Sequence, residues 1–500
     1  MKKYLLLHFV FVLTFSCYAQ TNSSGKCYNN DYNIWNTNGQ PDLHGDCANN
    51  PLFNTGNEIT LEVWVKAFTF GENRKIMGKL SPALNDGYVM GFQNLNIYTE
   101  ISNPTSQQIP SSGTGPLPLD SAWVHLATTY SSTGQMINYM NGENVGEITI
   151  FPQNPISQGT TPFIIGRAPW DYAYLFYGSL DEIRVWNVAK TQTQLKEYLH
   201  KELKGNEPGL VANYSFNNSI DSVFYDKSPN NLNGIIKQYG HPCFSWKNSE
   251  APVGDSLMYN MHEINGAWFG KSATQYSYAL TNNGLSAIAK IQNKEFSKYV
   301  IFGHNDSAGT SILNIPVIAP SDFKRMNRVW YLNQGGNVVL NQLVFNLTEA
   351  AAGGTAIPSN RPDTLYSLLK WDNTSEKFIP IYCASIVYNN SIIFNNIQLT
   401  DGYYTLGHGS TRLAGHTSDI SNNEILNNIK IYPVPADNYI NIDNAENTQI
   451  IIYDSYGKLV KNTNCNSNNI TIDIMELRSG LHIVNVIYKD SIKTQKILIK

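Results

Sequence analysis

Apolar and polar residues alternate with period two in one short run of this chain after another. Over residues 59–67 (ITLEVWVKA), Leu61, Val63 and Val65 fall on one side and Glu62, Trp64 and Lys66 on the other. Such alternation predicts a strand with one aliphatic face and a second face carrying Glu62 and Trp64. Residues 178–187 (GSLDEIRVWN) read as a turn glycine followed by a strand whose apolar positions are Leu180, Ile183, Val185 and Trp186. Strict alternation then sends the adjacent carboxylates Asp181 and Glu182 to opposite faces. Further strands are expected at 123–127 and 163–166, with hairpins at 75–92 and at 136–145 around an Asn141-Gly142 turn. Residues 103–119 are rich enough in Pro, Ser and Gly to predict a loop without regular structure. Residues 191–204 show helical spacing instead, with Leu195, Tyr198, Leu199 and Leu203 on one stripe and Thr191 placed to cap the start. Strand-length runs separated by turn residues at roughly 8–12-residue intervals indicate an all-β sandwich or jelly roll.

The same texture continues beyond a linker at 241–255. Residues 256–409 hold about eight short strands, at 287–291, 299–303, 329–333, 338–345, 366–371, 377–381, 392–394 and 403–407, which suggests a second β-sandwich. A polar, breaker-rich linker follows at 410–427, and 428–500 reads as a small β domain of its own. At the other end, Lys2 and Lys3, an apolar run over 4–15 and the Cys17-Tyr18-Ala19 site make residues 1–19 a secretory signal peptide, with cleavage expected before Gln20. Cys17 as a lipidated residue is the rival reading. No run is long and apolar enough for a transmembrane helix, which needs about 20 residues.

Composition narrows the class. Charged residues are 15 % of the 500 and the formal net charge is -4, so there is no basic footprint for nucleic acid. Six cysteines include no CxxC pair, which disfavours a structural zinc site. Export permits disulfides. Cys27 and Cys47, which flank an Asn- and Gly-rich entry segment, are the expected pair, contributing roughly 3 kcal/mol in the chain-entropy picture.

Five segments in order carry a family resemblance: 59–65 with Trp64, Trp123-Val-His125-Leu-Ala, Asn141-Gly142, Ile165-Gly166, and 178–187. Together they resemble a laminin-G-like, concanavalin A-like jelly roll spanning about residues 26–240. The tail resembles the C-terminal sorting domain of type IX secretion substrates, through Ile431-Tyr-Pro433-Val-Pro435, Tyr453-Asp454, Gly457-Lys458-Leu459-Val460, Leu477-x-x-Gly480 and the final Lys496-Ile-Leu-Ile-Lys500. Val434 and His482 depart from that family's usual Asn and Tyr. The resemblance implies export by the type IX machinery through 428–500. It also implies a Ca²⁺ site, with Asp181 at the family's aspartate and Asp46 near an N-terminal one, calcium being an ion that takes several oxygen ligands.

Candidate binding chemistry lies at 167–178 (RAPWDYAYLFYG), where Trp170, Tyr172, Tyr174 and Phe176 alternate. Flat aromatic faces suit sugar rings, and jelly rolls often host lectins. Phe176 and Tyr177 are assigned mainly to the core, and Trp170, Tyr172 and Tyr174 to a carbohydrate site. No strand carries the alternate carboxylates a sandwich glycosidase uses, and no Gly-x-Ser-x-Gly elbow, His-Glu-x-x-His or phosphate loop occurs, so no catalytic residue is assigned. The leading expectation is a secreted or surface protein that binds glycan or cell-surface protein without catalysis. A glycoside hydrolase and a structural surface adhesin are the alternatives.

Overall fold

A computed structural model describes residues 11–15, 43–67, 73–94, 96–102, 109–112, 122–149, 155–171, 174–176, 178–217, 222–238, 246–268, 271, 277–291, 297–413, 429–454, 458–488 and 491–500. They fall into two compact units, 1–309 with 327–355 and 397–403, and 310–326 with 356–396 and 404–500. The stretch 256–409 contributes to both.

The first unit opens with β1 (Phe11–Phe15), β2 (Leu43–Asp46), β3 (Ile59–Ala67), β4 (Arg74–Gly78), β5 (Tyr88–Gln93), β6 (Asn96–Ile101) and β7 (Ile109–Ser112). It continues with β8 (Trp123–Tyr130), β9 (Gln135–Met140), β10 (Glu143–Thr149), β11 (Ile164–Ile165), β12 (Gly178–Trp186), helix α1 (Gln192–Tyr198), β13 (Leu210–Tyr214), β14 (Val223–Phe224) and β15 (Gly234–Gln238). One sheet runs β10-β9-β8-β3-β12, with β13 and β1 also paired to β12; the other runs β14-β15-β2-β11-β4-β5-β6-β7. Between them lie Leu61, Val63, Val65, Leu126, Leu180, Ile183 and Val185 from the first sheet and Ile76, Met90, Phe92, Ile97 and Ile165 from the second. The jelly-roll expectation is met.

Of the expected leader only Phe11–Phe15 is described, as a strand against Gly178, Ser179 and Leu180 of β12. The loop expected at 103–119 needs correction, because β7 forms inside it and pairs with β6. Its Pro110 is tolerated because β7 is the last strand of its sheet, where one strand side needs no ladder partner. The Asn141-Gly142 turn forms as expected, both residues having positive φ of 52° and 78°. Gly178 has φ 154°, and a Cβ there would stand 2.2 Å from the Lys66 carbonyl oxygen, so the start of β12 requires glycine. Thr191 caps α1 in a capping box with Gln194, but the helix ends at Tyr198, short of residue 204.

The stretch 241–255 is more than a tether. Ser249, Glu250 and Pro252 bond to Asp181, Lys66 and His200, and Ala251 and Val253 pack against Trp64 and Trp123 with Trp268. Also in this unit, His262–Trp268, Tyr299–His304 and Trp330–Gly335 form consecutive antiparallel pairs, as do Ser277–Asn282, Leu285–Lys290 and Val339–Asn346.

In the second unit Tyr366–Asp372 pairs with Lys377–Cys383, and residues 404–408 pair with Tyr366–Asp372 and Lys324–Met326. Its C-terminal part is a small sandwich. Three strands, Lys430–Tyr432, Tyr439–Asp443 and Asn469–Asp473, face four, Thr448–Asp454, Leu459–Cys465, Gly480–Tyr488 and Ser491–Ile499. Ile440, Ile442, Ile450, Ile452, Val484, Val486 and Ile497 fill the space between them.

Candidate functional site

Register explains which side chains of the first sheet turn away from its core. Trp64 stands between His125 and Asp181, and Glu62 between Ala127 and Arg184. Between Asp181 and Arg184 the strand β12 carries one extra residue relative to β3, and that residue, Glu182, has φ 47°. The bulge corrects the expectation that Asp181 and Glu182 point to opposite faces. Ile183 takes the core position, while Asp181, Glu182 and Arg184 share the outer face. Single-sequence alternation has no signal for a bulge, so this cluster was missed.

On that face Arg184, with no exposed surface, donates Nη2 to Glu182 Oε2 at 2.8 Å and to the Lys201 carbonyl at 2.6 Å. Its Nη1 donates to the Tyr198 carbonyl at 3.0 Å and lies 3.7 Å from Glu62 Oε2. Trp186 Nε1 donates to Glu62 Oε1 at 2.6 Å, and His125 Nε2 is 3.2 Å from Glu62 Oε2. Burial alone would raise the Glu62 pKa, but His125 and Arg184 more than offset it and hold the carboxyl below the ordinary glutamate value. Burial pushes His125 down, against the pull of Glu62. Asp181 is raised well above the usual aspartate value, first by burial and then by the charge of Glu182. Glu182 is itself raised by burial, against Arg184.

Glu62, Asp181 and Glu182 are 1 %, 1 % and 3 % exposed. Lying over this face are α1, the chain just after it and 249–253, with Trp64 Nε1 donating to the Leu199 carbonyl and Trp268 Nε1 to the Trp123 carbonyl. These carboxylates are sealed from substrate and serve to clamp the segments that cross them.

The expected calcium pair does not come together. Asp181 belongs to the outer face of the first sheet, where its oxygens accept from Glu182 N at 2.8 Å and Ser249 Oγ at 2.5 Å. Asp46 lies in β2 of the other sheet and accepts from Ala48 N and Lys237 Nζ. Its neighbour Gly45 faces Phe224 and Ile165 of the core, so Asp46 points out of the opposite side of the sandwich. Among the described residues no group of three acidic, histidine or cysteine side chains is placed to hold a metal ion. Cys47 is a buried free thiol, its pKa raised by burial, while Cys27 lies outside the described residues.

The aromatic loop follows β11. Gly166 N donates to the Ile76 carbonyl at 2.6 Å and the Gly166 carbonyl accepts from Phe176 N at 2.8 Å, fixing both ends of the loop. Arg167 Nη1 donates to the Ala168 and Pro169 carbonyls, and Nη2 lies 3.3 Å from His44 Nε2. Trp170 and Tyr174 are half-buried, with ring centroids 6.2 Å apart and planes at 52°. Phe176 is buried in the core as expected, and Tyr172 and Tyr177 lie outside the described residues.

Comparison with known proteins follows these boundaries. Residues 43–196 match the family model of the concanavalin A-like lectin/glucanases superfamily, and residues 430–500 match that of the secretion system C-terminal sorting domain. A search of curated proteins finds no match. Among solved structures, the chain is similar to a Bacteroides ovatus protein named for carbohydrate binding, at 22 % identity over 43 % of this chain, with a TM-score of 0.35. It spans 60 % of that protein's length. It is also similar to the heptameric SAP-like pentraxin of Limulus polyphemus (16 % identity, 38 % of this chain and 82 % of that one, TM-score 0.27). A third is the Ruminococcus gnavus IT-sialidase CBM40 bound to α2,3-sialyllactose (14 %, 30 % and 82 %, TM-score 0.26). No helix among the described residues is long and apolar enough to cross a membrane. Residues 43–196 thus match a laminin-G-like, concanavalin A-like family model and residues 430–500 a type IX sorting-domain model, and the latter match indicates secretion or attachment at the cell surface.

Proposed function

We propose that this protein binds carbohydrate without catalysis, at or outside the cell surface, through the loop that carries Trp170, Tyr172 and Tyr174. The observation that supports it is the Trp170–Tyr174 pair: two half-buried rings at 6.2 Å on a loop tied at both ends. Rings held this way keep a flat apolar face without the ordering cost of a free side chain, which is what stacking on a sugar requires. The carboxylates of the first sheet do not favour a hydrolase, since they are buried under α1 and residues 249–253.

The test is titration of the purified full chain against a panel of poly- and oligosaccharides, with calcium and with chelator. Trp170→Ala should weaken binding by at least about tenfold, equivalent to about 1.4 kcal/mol. Because Asp46 and Asp181 lie on opposite sides of the sandwich, binding should survive chelation. Release of reducing sugar would overturn the non-catalytic reading, and binding to deglycosylated surface protein alone would replace it with adhesion.

A further inference from the structure

Just beyond β4 a lysine, an asparagine and an aspartate converge on one glycine. Lys79 follows β4, and Asp86 lies on the hairpin that leads to β5, bridged to Ser81. Asn54 ends the short turn Pro51–Phe53 ahead of β3. Gly159 is seated against the hairpin by a bond from Gly87 N to the Ser157 carbonyl at 3.0 Å. Lys79 Nζ donates to Asn54 Oδ1 at 2.6 Å and to the Gly159 carbonyl at 3.0 Å. Gly159 N donates to the same Asn54 Oδ1 at 3.2 Å, and Asn54 Nδ2 donates to the Gly159 carbonyl at 3.4 Å. The Asp86 carboxylate rests on Gly159, where a Cβ would stand 2.6 Å from its Oδ1.

Burial decides what this contact can become. Lys79 has no exposed surface and Asp86 is 7 % exposed. Asp86 Oδ1 is buried without a hydrogen-bond partner among the described residues. Burial pushes the Lys79 pKa down to about 8, against the charge of Asp86, and raises that of Asp86, so a proton passes between them at little cost. A neutral lysine amine is a nucleophile. With Nζ 2.6 Å from Asn54 Oδ1, the carbonyl carbon is no more than about 3.8 Å away, one C=O bond further on. That is close to the separation of about 3–3.5 Å from which attack proceeds.

We propose that Lys79 and Asn54 become joined by an intramolecular isopeptide bond. Lys79 Nζ passes a proton to Asp86 and attacks Asn54 Cγ. The Nζ–Cγ bond forms and the carbonyl electron pair moves onto Oδ1, where Gly159 N is already placed to donate to it. The pair returns as the Cγ–Nδ2 bond breaks. Nζ sheds two protons in all, and Asp86 relays both to the departing nitrogen. An ammonium ion leaves, the new amide is neutral and Asp86 ends as the carboxylate it began. Nothing is oxidised or reduced and no co-reactant is consumed. Asn54 is half-buried, which opens a way out for the ammonium ion. The bond would tie the entry to β3, in one sheet, to the end of β4, in the other. Cys47, between the same sheets, is a free thiol, so this tie would do what a disulfide does elsewhere, independently of any carbohydrate binding.

The experiment is peptide mapping of the purified full chain, digested under reducing and denaturing conditions and read by tandem mass spectrometry. Wild type should yield a branched peptide joining residue 54 to residue 79, lighter than its two linear parts by one ammonia. Lys79→Arg should yield linear peptides only, and Asp86→Asn should lower the linked fraction at least about tenfold. Linear peptides alone from wild type, with a cooperative melting transition to show that it is folded, would overturn the proposal whether or not either variant folds. Ammonia lost from one linear peptide without a branch would be cyclisation within that peptide and would overturn it equally. An undiminished linked fraction in Asp86→Asn would overturn the proton relay.

Discussion

Arg184 is the residue on which the outer face of the first sheet most depends, and Arg184→Met tests that directly. The substitution keeps much of the aliphatic stem while removing donors to Glu182, Tyr198 and Lys201. It leaves Glu62 and Glu182 buried without their shared cation, and strips two carbonyls near the end of α1 of their partners. Removing one member of a buried ion pair costs about 3–5 kcal/mol, chiefly the penalty of the charge left behind. The unfolding transition of this region can be followed in urea by the fluorescence of Trp64, Trp123, Trp186 and Trp268, which surround the cluster. At pH 7.5 a loss of about 3 kcal/mol or more is expected. The loss should shrink toward pH 5, because Glu182, already raised by burial, escapes its penalty by taking up a proton. Adding Glu182→Gln to Arg184→Met should recover at least about 1 kcal/mol, since the two groups are in contact and their effects do not add. A loss under about 1 kcal/mol at pH 7.5, or no coupling in the double variant, would refute the assignment.

Two further predictions follow from the same cluster. Asp181 has a raised pKa in the folded state, so the folded chain keeps a proton that the unfolded chain releases, and stability falls as pH rises from the ordinary aspartate value to the raised one. Asp181→Asn should flatten that fall and leave the protein as stable as wild type or more so at pH 7.5, read from melting temperatures across pH 4–8. His200 behaves oppositely: burial lowers its pKa to about 3 while Nδ1 contacts the Pro252 carbonyl at 2.6 Å. The unfolded state therefore binds the extra proton below about pH 6.5, and stability is lost progressively as pH falls from there toward 3. His200→Asn, which retains a donor for Pro252, should blunt this acid limb, and an unchanged profile would remove His200 from its cause.

Much of the architecture could be read from alternation. The aliphatic stripe of β3, the Asn141-Gly142 hairpin and the cap at Thr191 behave as their residues require, because each depends on a few neighbours in sequence. What escaped depends on partners far along the chain. Glu182 turns outward because β12 bulges against β3, and the bulge is defined by pairing across more than 110 residues. Pro110 sits in a strand because its place at a sheet edge excuses the missing donor, and edge position is not encoded locally. The stretch 241–255 resembles a linker by composition, yet its Ser249, Glu250 and Pro252 supply partners to Asp181, Lys66 and His200. Of the predicted site residues, Trp170 and Tyr174 do share a loop, whereas Asp46 and Asp181 are separated by the thickness of the sandwich.

The two outer faces of the jelly roll divide their tasks for a physical reason. The first sheet spends its charged and indole groups on α1, on residues 199–203 and on 249–253, and every carboxylate there meets a donor from the chain itself. Such a face gains rigidity as donors are satisfied, and its unpartnered atoms, Glu62 Oε2 and the two ring nitrogens of His125 among them, lie buried beneath the covering segments. The second sheet is built on other terms. Lys75, Tyr98 and Glu100 are held in place by one another, yet one carboxylate oxygen is left without a donor, and the nearest loop offers two rings rather than a covering helix. Recognition is expected at the aromatic loop, where Trp170 and Tyr174 are half-buried rather than covered, and substitutions on the first sheet should reach it only through stability.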